Sequence, residues 1–271
     1  MAISDETFVV QQFRYRKHIK HIRTFVTILC LISIIISIIS ALISGIYELL
    51  FLAIPFVLEG AVIWAVYGRF INTRVIMDKD SIFYTCGKRE TIIPYDQITK
   101  IQVRSIRYLG GWIKIKSNKK TIRLTVVVEN IQSLLQILKA NLDTRGMNNT
   151  YNAKKLFRFL KTATFSDEGW ARFYKLWWKL LLLTILTAIV GIAIAIVFNL
   201  SATVVFFSTI FPTIIYVISE AIFKLRIRNF SNAGDFSVPK RDVLYERKIQ
   251  KRAFLWGSLA FIILVFLIIF M

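Results

Sequence analysis

Glu59 is the residue whose type and position most directly invite chemistry. It falls near the middle of an apolar run, Tyr47–Gly68. An ionised carboxylate at membrane depth costs roughly 3 kcal/mol, so it needs a proton, a partner or water. The preceding run offers partners: Cys30, Ser33, Ser37, Ser40 and Ser44 recur at steps of three and four residues. That spacing puts small side chains on one helical face. The expectation is that Glu59 lies in a bundle interior, near a break made by Pro55, and accepts hydrogen bonds from the serines. It is then a protonated or hydrogen-bonded packing residue, or a ligand or proton site. Glu220, nearer a basic edge, is expected to pair with Lys224, four residues on.

A second set of residues is cationic. Lys114 and Lys116 alternate along one segment, with Lys119, Lys120 and Arg123 around the next turn and Arg104 and Arg107 before it. Either they face anionic headgroups, or they form the solvated side of an antiparallel sheet. Other chemistry is sparse. His18 and His21 stand three apart without further ligands nearby and read as solvated, so no metal site is expected. The sequence shows no Gly-rich phosphate loop and no Ser/His/Asp set, which points away from an enzyme and implies no cofactor. Cys30 and Cys86 belong to different environments, so no disulfide framework is implied.

Five apolar runs must position these groups: roughly Phe25–Ser44, Tyr47–Gly68, Leu180–Phe198, Ala202–Phe223 and Ala253–Phe270. Each is close to the ~20 residues that cross a ~30 Å hydrocarbon layer as a helix. All 36 Lys and Arg residues lie outside them. Hydrophobic content of 56% excludes an ordinary soluble domain. The net charge of +20 flanks the runs instead of forming a separate basic module, so nucleic acid is not the expected partner. Basic loops stay on the cytoplasmic side. One topology satisfies them all: N-terminus inside, two hairpins, and a fifth crossing that leaves the C-terminus outside. The links between paired spans carry only Glu48, or the uncharged Asn199-Leu200-Ser201, which also matches a glycosylation sequon.

The segments divide as follows. Residues 1–24 form a basic cytoplasmic segment in which Phe13, Ile19 and Ile22 among cations indicate a short interfacial helix. Residues 25–68 are the first hairpin. Residues 150–179 form a basic amphipathic segment over Tyr151–Thr164. A new helix then starts at Ser166-Asp167-Glu168, with an aromatic belt of Trp170, Phe173, Tyr174, Trp177 and Trp178. Residues 180–223 are the second hairpin, 224–252 a basic segment and 253–271 the fifth span. Pro55 with Glu59, and Pro212 with Glu220, make spans two and four look like repeats.

Residues 71–145 break the membrane pattern. Short alternating stretches read as strands at Arg74–Met77, Ser81–Thr85, Glu90–Ile93, Ile98–Arg104, Trp112–Ser117 and Thr121–Val128. A helix follows from about Glu129, with Leu134, Leu135, Ile137 and Leu138 on or near its core face.

The segment Val75–Leu142 resembles a bacterial pleckstrin-homology-like domain of the kind found in small multi-span membrane proteins. The resemblance is carried by Asp78-Lys79-Asp80-Ser81-Ile82, by Ile93-Pro94-Tyr95-Asp96-Gln97-Ile98, by Gly110-Gly111-Trp112-Ile113-Lys114-Ile115, and by Glu129-Asn130-Ile131 before the helix. It implies a bent, partly open (split) α+β barrel capped by a helix, and a bacterial inner-membrane location. Six strands are counted where that fold has seven. Some membrane-bound relatives are associated with immunity to membrane-active peptides, bacteriocins among them.

The combined expectation is an α-helical polytopic membrane protein, with about five transmembrane helices and an inserted cytoplasmic domain. It is non-enzymatic and binds anionic membrane lipid or a protein partner, with self-association or another membrane protein left open. A small transporter or channel component using Glu59 is the rival.

Overall fold

The first strand comes from the N-terminal segment. β1 (Gln11–Arg14) leads into a long helix, α1 (His18–Ser44). A 3-10 turn over Tyr47–Leu52 and a second helix, α2 (Ala53–Ile71), return the chain to β2 (Thr73–Met77). β1 and β2 pair antiparallel, from Gln11↔Met77 to Arg14↔Arg74. The α1–α2 hairpin therefore stands where a tight turn would otherwise join two neighbouring strands. At Gln11–Arg14 a strand thus stands where a short interfacial helix was expected, while Ile19 and Ile22 lie in α1; residues 1–10 lie outside the described residues. Phe13 is buried between exposed Gln12 and Arg14, a period of two, and lies opposite buried Val75. Pairing also satisfies the backbone groups that the edge of β2 would otherwise leave open.

The computed structural model describes residues 11–45, 47–199 and 202–270. It is mostly helical, with two small antiparallel sheets. β3 (Ser81–Cys86) and β4 (Arg89–Pro94) complete the first sheet in the order β1-β2-β3-β4. Cys86 pairs with Arg89 across the two-residue loop Gly87-Lys88. Gly87 takes φ +62°, the left-handed conformation such a hairpin loop demands.

The Ile93–Ile98 step carries the chain between sheets. β4 ends at Pro94, a single 3-10 turn covers Tyr95–Gln97, and β5 (Ile98–Ile106) begins the second sheet. Ile93, Tyr95 and Ile98 are buried, while Asp96 and Gln97 face outward. β6 (Gly110–Ser117) and β7 (Thr121–Thr125) follow in the order β5-β6-β7. Seven strands are thus described, the seventh being β1.

α3 (Ile131–Thr144) buries Ile131, Leu134, Leu135, Leu138 and Leu142. Each such side chain contributes about 1.5–3 kcal/mol on burial. The core they join includes Met77, Ile82, Ile113, Ile115, Ile122 and Leu124. Arg145, just beyond α3, donates from Nη2 to Lys79 O at 2.6 Å and pairs with Asp80 at 2.8 Å, tying the helix end to the β2–β3 turn. The N-terminal segment also meets the stretch that follows β7. Tyr15 bridges to Val128, Arg16 N–H donates to Val127 O at 3.3 Å, and Glu129 N–H donates to Arg14 O at 2.8 Å. One short segment thus links the first sheet to the connection between β7 and α3.

The remaining chain forms α4 (Ala153–Val197), α5 (Ala202–Asn229) and α6 (Val243–Phe270). The expected break between an amphipathic segment and the third span is absent: α4 is one helix of 45 residues. Asn152 caps its start by accepting from Lys155 N–H at 2.9 Å. No proline interrupts it, so Ser166-Asp167-Glu168 lies inside the helix and not at an N-terminus. At 1.5 Å per residue α4 is about 68 Å long, roughly twice a hydrocarbon layer.

α1, α4 and α6 are long and apolar enough to cross a membrane, and α2 is a shorter apolar helix over Ala53–Ala65. The chain divides into two compact units. The first holds residues up to Arg104 with Gly111–Leu156, and the second holds Ser105–Gly110 with the chain from Phe157 onward. In the first, Cys30 and Ser37 of the small-residue row are buried and Ser33 is half-buried. A Cβ on Gly60 would stand 3.9 Å from Cys30 Cβ, so this row marks the α1–α2 contact. The side chains of Ser40, Ser44 and Glu48, and residues Leu200 and Ser201 of the sequon, lie outside the described residues.

Candidate functional site

The basic residues of the sheet occupy two strands and a turn. Ile113 and Ile115 of β6 point into the core, which places Trp112, Lys114 and Lys116 on the opposite side. Register sets Lys114 directly opposite Arg123 and Lys116 opposite Thr121. The Arg123 guanidinium lies 4.5 Å from the Trp112 ring centroid, and that of Arg104 lies 5.7 Å from it. Lys119 and Lys120 are exposed in the β6–β7 turn, and Lys120 Nζ donates to Ile92 O at 3.4 Å. Six of the seven basic candidates therefore belong to one unit. Arg107 falls in the other, next to Tyr108, whose N–H donates to Thr162 Oγ1 at 3.4 Å.

Like charges directly opposite across two strands are unfavourable. Lys114 and Arg123 hold that arrangement with Trp112 beside them. Arg123 also lines a cavity of about 560 Å³ between β2–β4 and β7, together with Thr73, Tyr84, Arg89 and Thr91. Gly68 and Phe70, at the end of α2, line the same cavity. Burial, reinforced by Cys86, pushes the Tyr84 phenol up to about 12, so it stays a neutral hydrogen-bond donor. Two guanidinium groups, three or more hydroxyls and a phenol are the groups that bind a phosphate or carboxylate oxygen.

Glu59 does not meet the expectation of a bundle interior. It is exposed on α2, and the hydroxyl of Ser37 instead donates back to Ser33 O at 2.9 Å. Pro55 breaks nothing, because α2 begins at Ala53 and proline is tolerated in a first turn. Pro212, by contrast, lies well inside α5. The two hairpins thus differ where the repeat reading requires them to match.

Glu220 differs most from expectation. Its partner is Arg172 of α4. Arg172 Nε donates to Glu220 Oε1 and Nη2 to Oε2, both at 2.7 Å. Nη1 donates to Glu246 Oε1 of α6 at 3.0 Å and lies 3.5 Å from Glu168 Oε2. Arg241 Nε in turn donates to both oxygens of Glu246, at 2.9 and 3.0 Å. The Arg172 guanidinium also stacks over Phe223, 4.4 Å from its ring centroid. With 1% of its side chain exposed, Arg172 is a buried junction of three helices. Only a planar fork satisfies a bidentate carboxylate while two more acids approach, so lysine would not serve. No motif marks this residue. The one visible signal is its spacing of four from Glu168.

Among the described residues no group of three or more His, Cys, Asp or Glu is arranged to hold a metal ion. No family model, curated protein or solved structure matches the chain.

Proposed function

We propose that the first unit is a pleckstrin-homology-like module, tethered to the inner face of a bacterial membrane by the α1–α2 hairpin, and that it reads anionic lipid without catalysing a reaction. The observation that carries this reading is the position of Arg123. It stands opposite Lys114 on the basic strand pair and also lines the cavity that Gly68 and Phe70 of α2 border. A headgroup phosphate there relieves the opposed cations, and the end of an apolar helix is where headgroups are found. The distribution of all 36 Lys and Arg residues outside the five apolar runs supports five crossings with the module inside. Juxtamembrane cations contribute about 1 kcal/mol each toward an anionic surface.

The test uses the full chain in nanodiscs of phosphatidylcholine alone or with phosphatidylglycerol. Hydrogen exchange over residues 112–125 is expected to slow in the anionic discs, and the Lys114→Glu/Arg123→Glu variant to remove the difference. Equal exchange of the unaltered chain in both discs would overturn the reading.

A further inference from the structure

The second unit contains two adjoining cavities of opposite character. One, of about 320 Å³ between α4 and α6, is lined by Lys175, Lys179, Arg247 and Lys251 alongside Arg172 and Arg241. Glu246 is its one acidic lining residue, and it is already shared between Arg172 and Arg241. Among the described residues, Lys175, Lys179, Arg247 and Lys251 have no carboxylate within ion-pair distance. The other cavity, of about 580 Å³, is apolar and runs between α4, α5 and α6, with Leu183, Pro212, Ile215, Phe254 and Ser258 among its walls. Leu176, Gln250 and Lys251 line both, so the two adjoin.

Their order along the helices matters. Lys179 stands immediately before the apolar stretch that begins at Leu180 and Lys251 two residues before the one that begins at Ala253, and the apolar cavity extends into those stretches. Moving from the basic cavity to the apolar one therefore follows the path from headgroup depth into hydrocarbon. A soluble anion would need only the first cavity, and an uncharged apolar ligand only the second. A molecule with a phosphodiester joined to an acyl chain uses both, in the right order. Basic pockets between helices at the inner edge of a membrane take lipid headgroups.

We propose that α4, α5 and α6 form a site for one anionic glycerophospholipid, its phosphate among Lys175, Lys179, Arg247 and Lys251 and an acyl chain in the adjoining groove. The Arg172–Glu220–Glu246 junction holds the three helices in register beneath it. This site is separate from the basic sheet face and stands whether or not that face reads lipid.

Native mass spectrometry of the full chain released from nanodiscs tests it. The expected result is one retained phosphatidylglycerol in preference to phosphatidylcholine. Lys175→Glu/Lys251→Glu should lower retention at least tenfold, Lys175→Arg/Lys251→Arg should keep it, and groove-filling Ser258→Trp should lose it. Far-ultraviolet circular dichroism checks that each variant is folded. Equal retention of the two lipids would overturn the proposal, as would undiminished retention in the folded charge-reversed variant. So would displacement of the bound lipid by glycerol phosphate, which lacks acyl chains and would reveal a soluble-anion site.

Discussion

Arg172 and Glu220 meet as a two-pronged pair between α4 and α5, with both contacts at 2.7 Å and the guanidinium shut away from solvent. The pair is one part of a five-residue network in which three glutamates face two arginines. Carboxylates already outnumber guanidinium groups by one, so the loss of either arginine leaves a further acid without its partner.

Arg172→Met should therefore be far more disruptive than its size suggests. It leaves Glu220, Glu246 and Glu168 facing one another at a nearly buried point. Removing one partner of such a pair costs about 3–5 kcal/mol. Arg172→Lys should recover only a small part, because the bidentate contact is lost. Combining Arg172→Met with Glu220→Gln and Glu246→Gln should be milder than the single change, since it removes two of the three carboxylates that the lost guanidinium would leave facing one another. Thermal unfolding in detergent checks the order. A triple variant weaker than Arg172→Met would mean that the network acts by packing alone.

Phe13 tests whether β1 is integral to the sheet. Its side chain is 4% exposed and lies opposite Val75. Phe13→Ala should destabilise the first unit by about 3–5 kcal/mol. Amide exchange in β2 should rise with it. A fragment covering residues 71–145 lacks β1, exposes the β2 edge and should self-associate. Sedimentation of that fragment as a stable monomer would show β1 to be dispensable.

The sheet region was legible because it alternates buried and exposed residues over short distances, as in Trp112 to Lys116, and because Gly87 and the Ile93–Ile98 step mark its turns. β1 was not legible. Its four residues carry two glutamines and an arginine, and its partner lies beyond an entire helical hairpin, so no local pattern announces the pairing. The apolar runs were equally plain, but their ends were not: Ser166–Glu168 has the acids of a helix start, yet with no proline or glycine pair to break it α4 passes straight through. The Arg172 junction escaped for the same reason as β1. Its three acids come from three helices, and only Glu168 is near it in sequence. Glu59 misled in the other direction, since a charge within an apolar run reads as buried, and the helix turns it outward.

Asp143 gives the first unit a defined acid sensitivity. Partial burial raises its carboxyl, but the hydrogen bonds from Lys139 Nζ and the Tyr151 hydroxyl outweigh this and hold it below its ordinary value. A carboxylate depressed in the folded state stabilises the fold above its unfolded pKa and loses that contribution as pH falls through its folded value. Stability should therefore drop on acidification below about pH 4. Asp143→Asn should be less stable at neutral pH and show a flatter acid limb. Unfolding midpoints from about pH 6 to pH 3 check this. Parallel profiles for the two proteins would remove Asp143 as the source.

Gly257 sets the distance between α5 and α6. A Cβ added there would stand 2.7 Å from Ile215 Cγ1 and 2.8 Å from Cδ1, closer than atoms in contact can pack. Phe211, 3.7 Å from the same point, is held in turn against Phe261 at a ring-centroid distance of 4.7 Å, so Ile215 can yield only by turning into the apolar cavity that it lines. Gly257→Ala gains about 1 kcal/mol of helix propensity. Overpacking costs about 1–3 kcal/mol and should win. Gly257→Val should be worse, since its second branch meets the same wall. Ile215→Ala introduced into Gly257→Ala should recover stability, because it vacates the space that the new methyl group occupies. Thermal unfolding of the single and double variants decides the matter: a double variant less stable than the sum of its parts would show that the two side chains do not compete for this space.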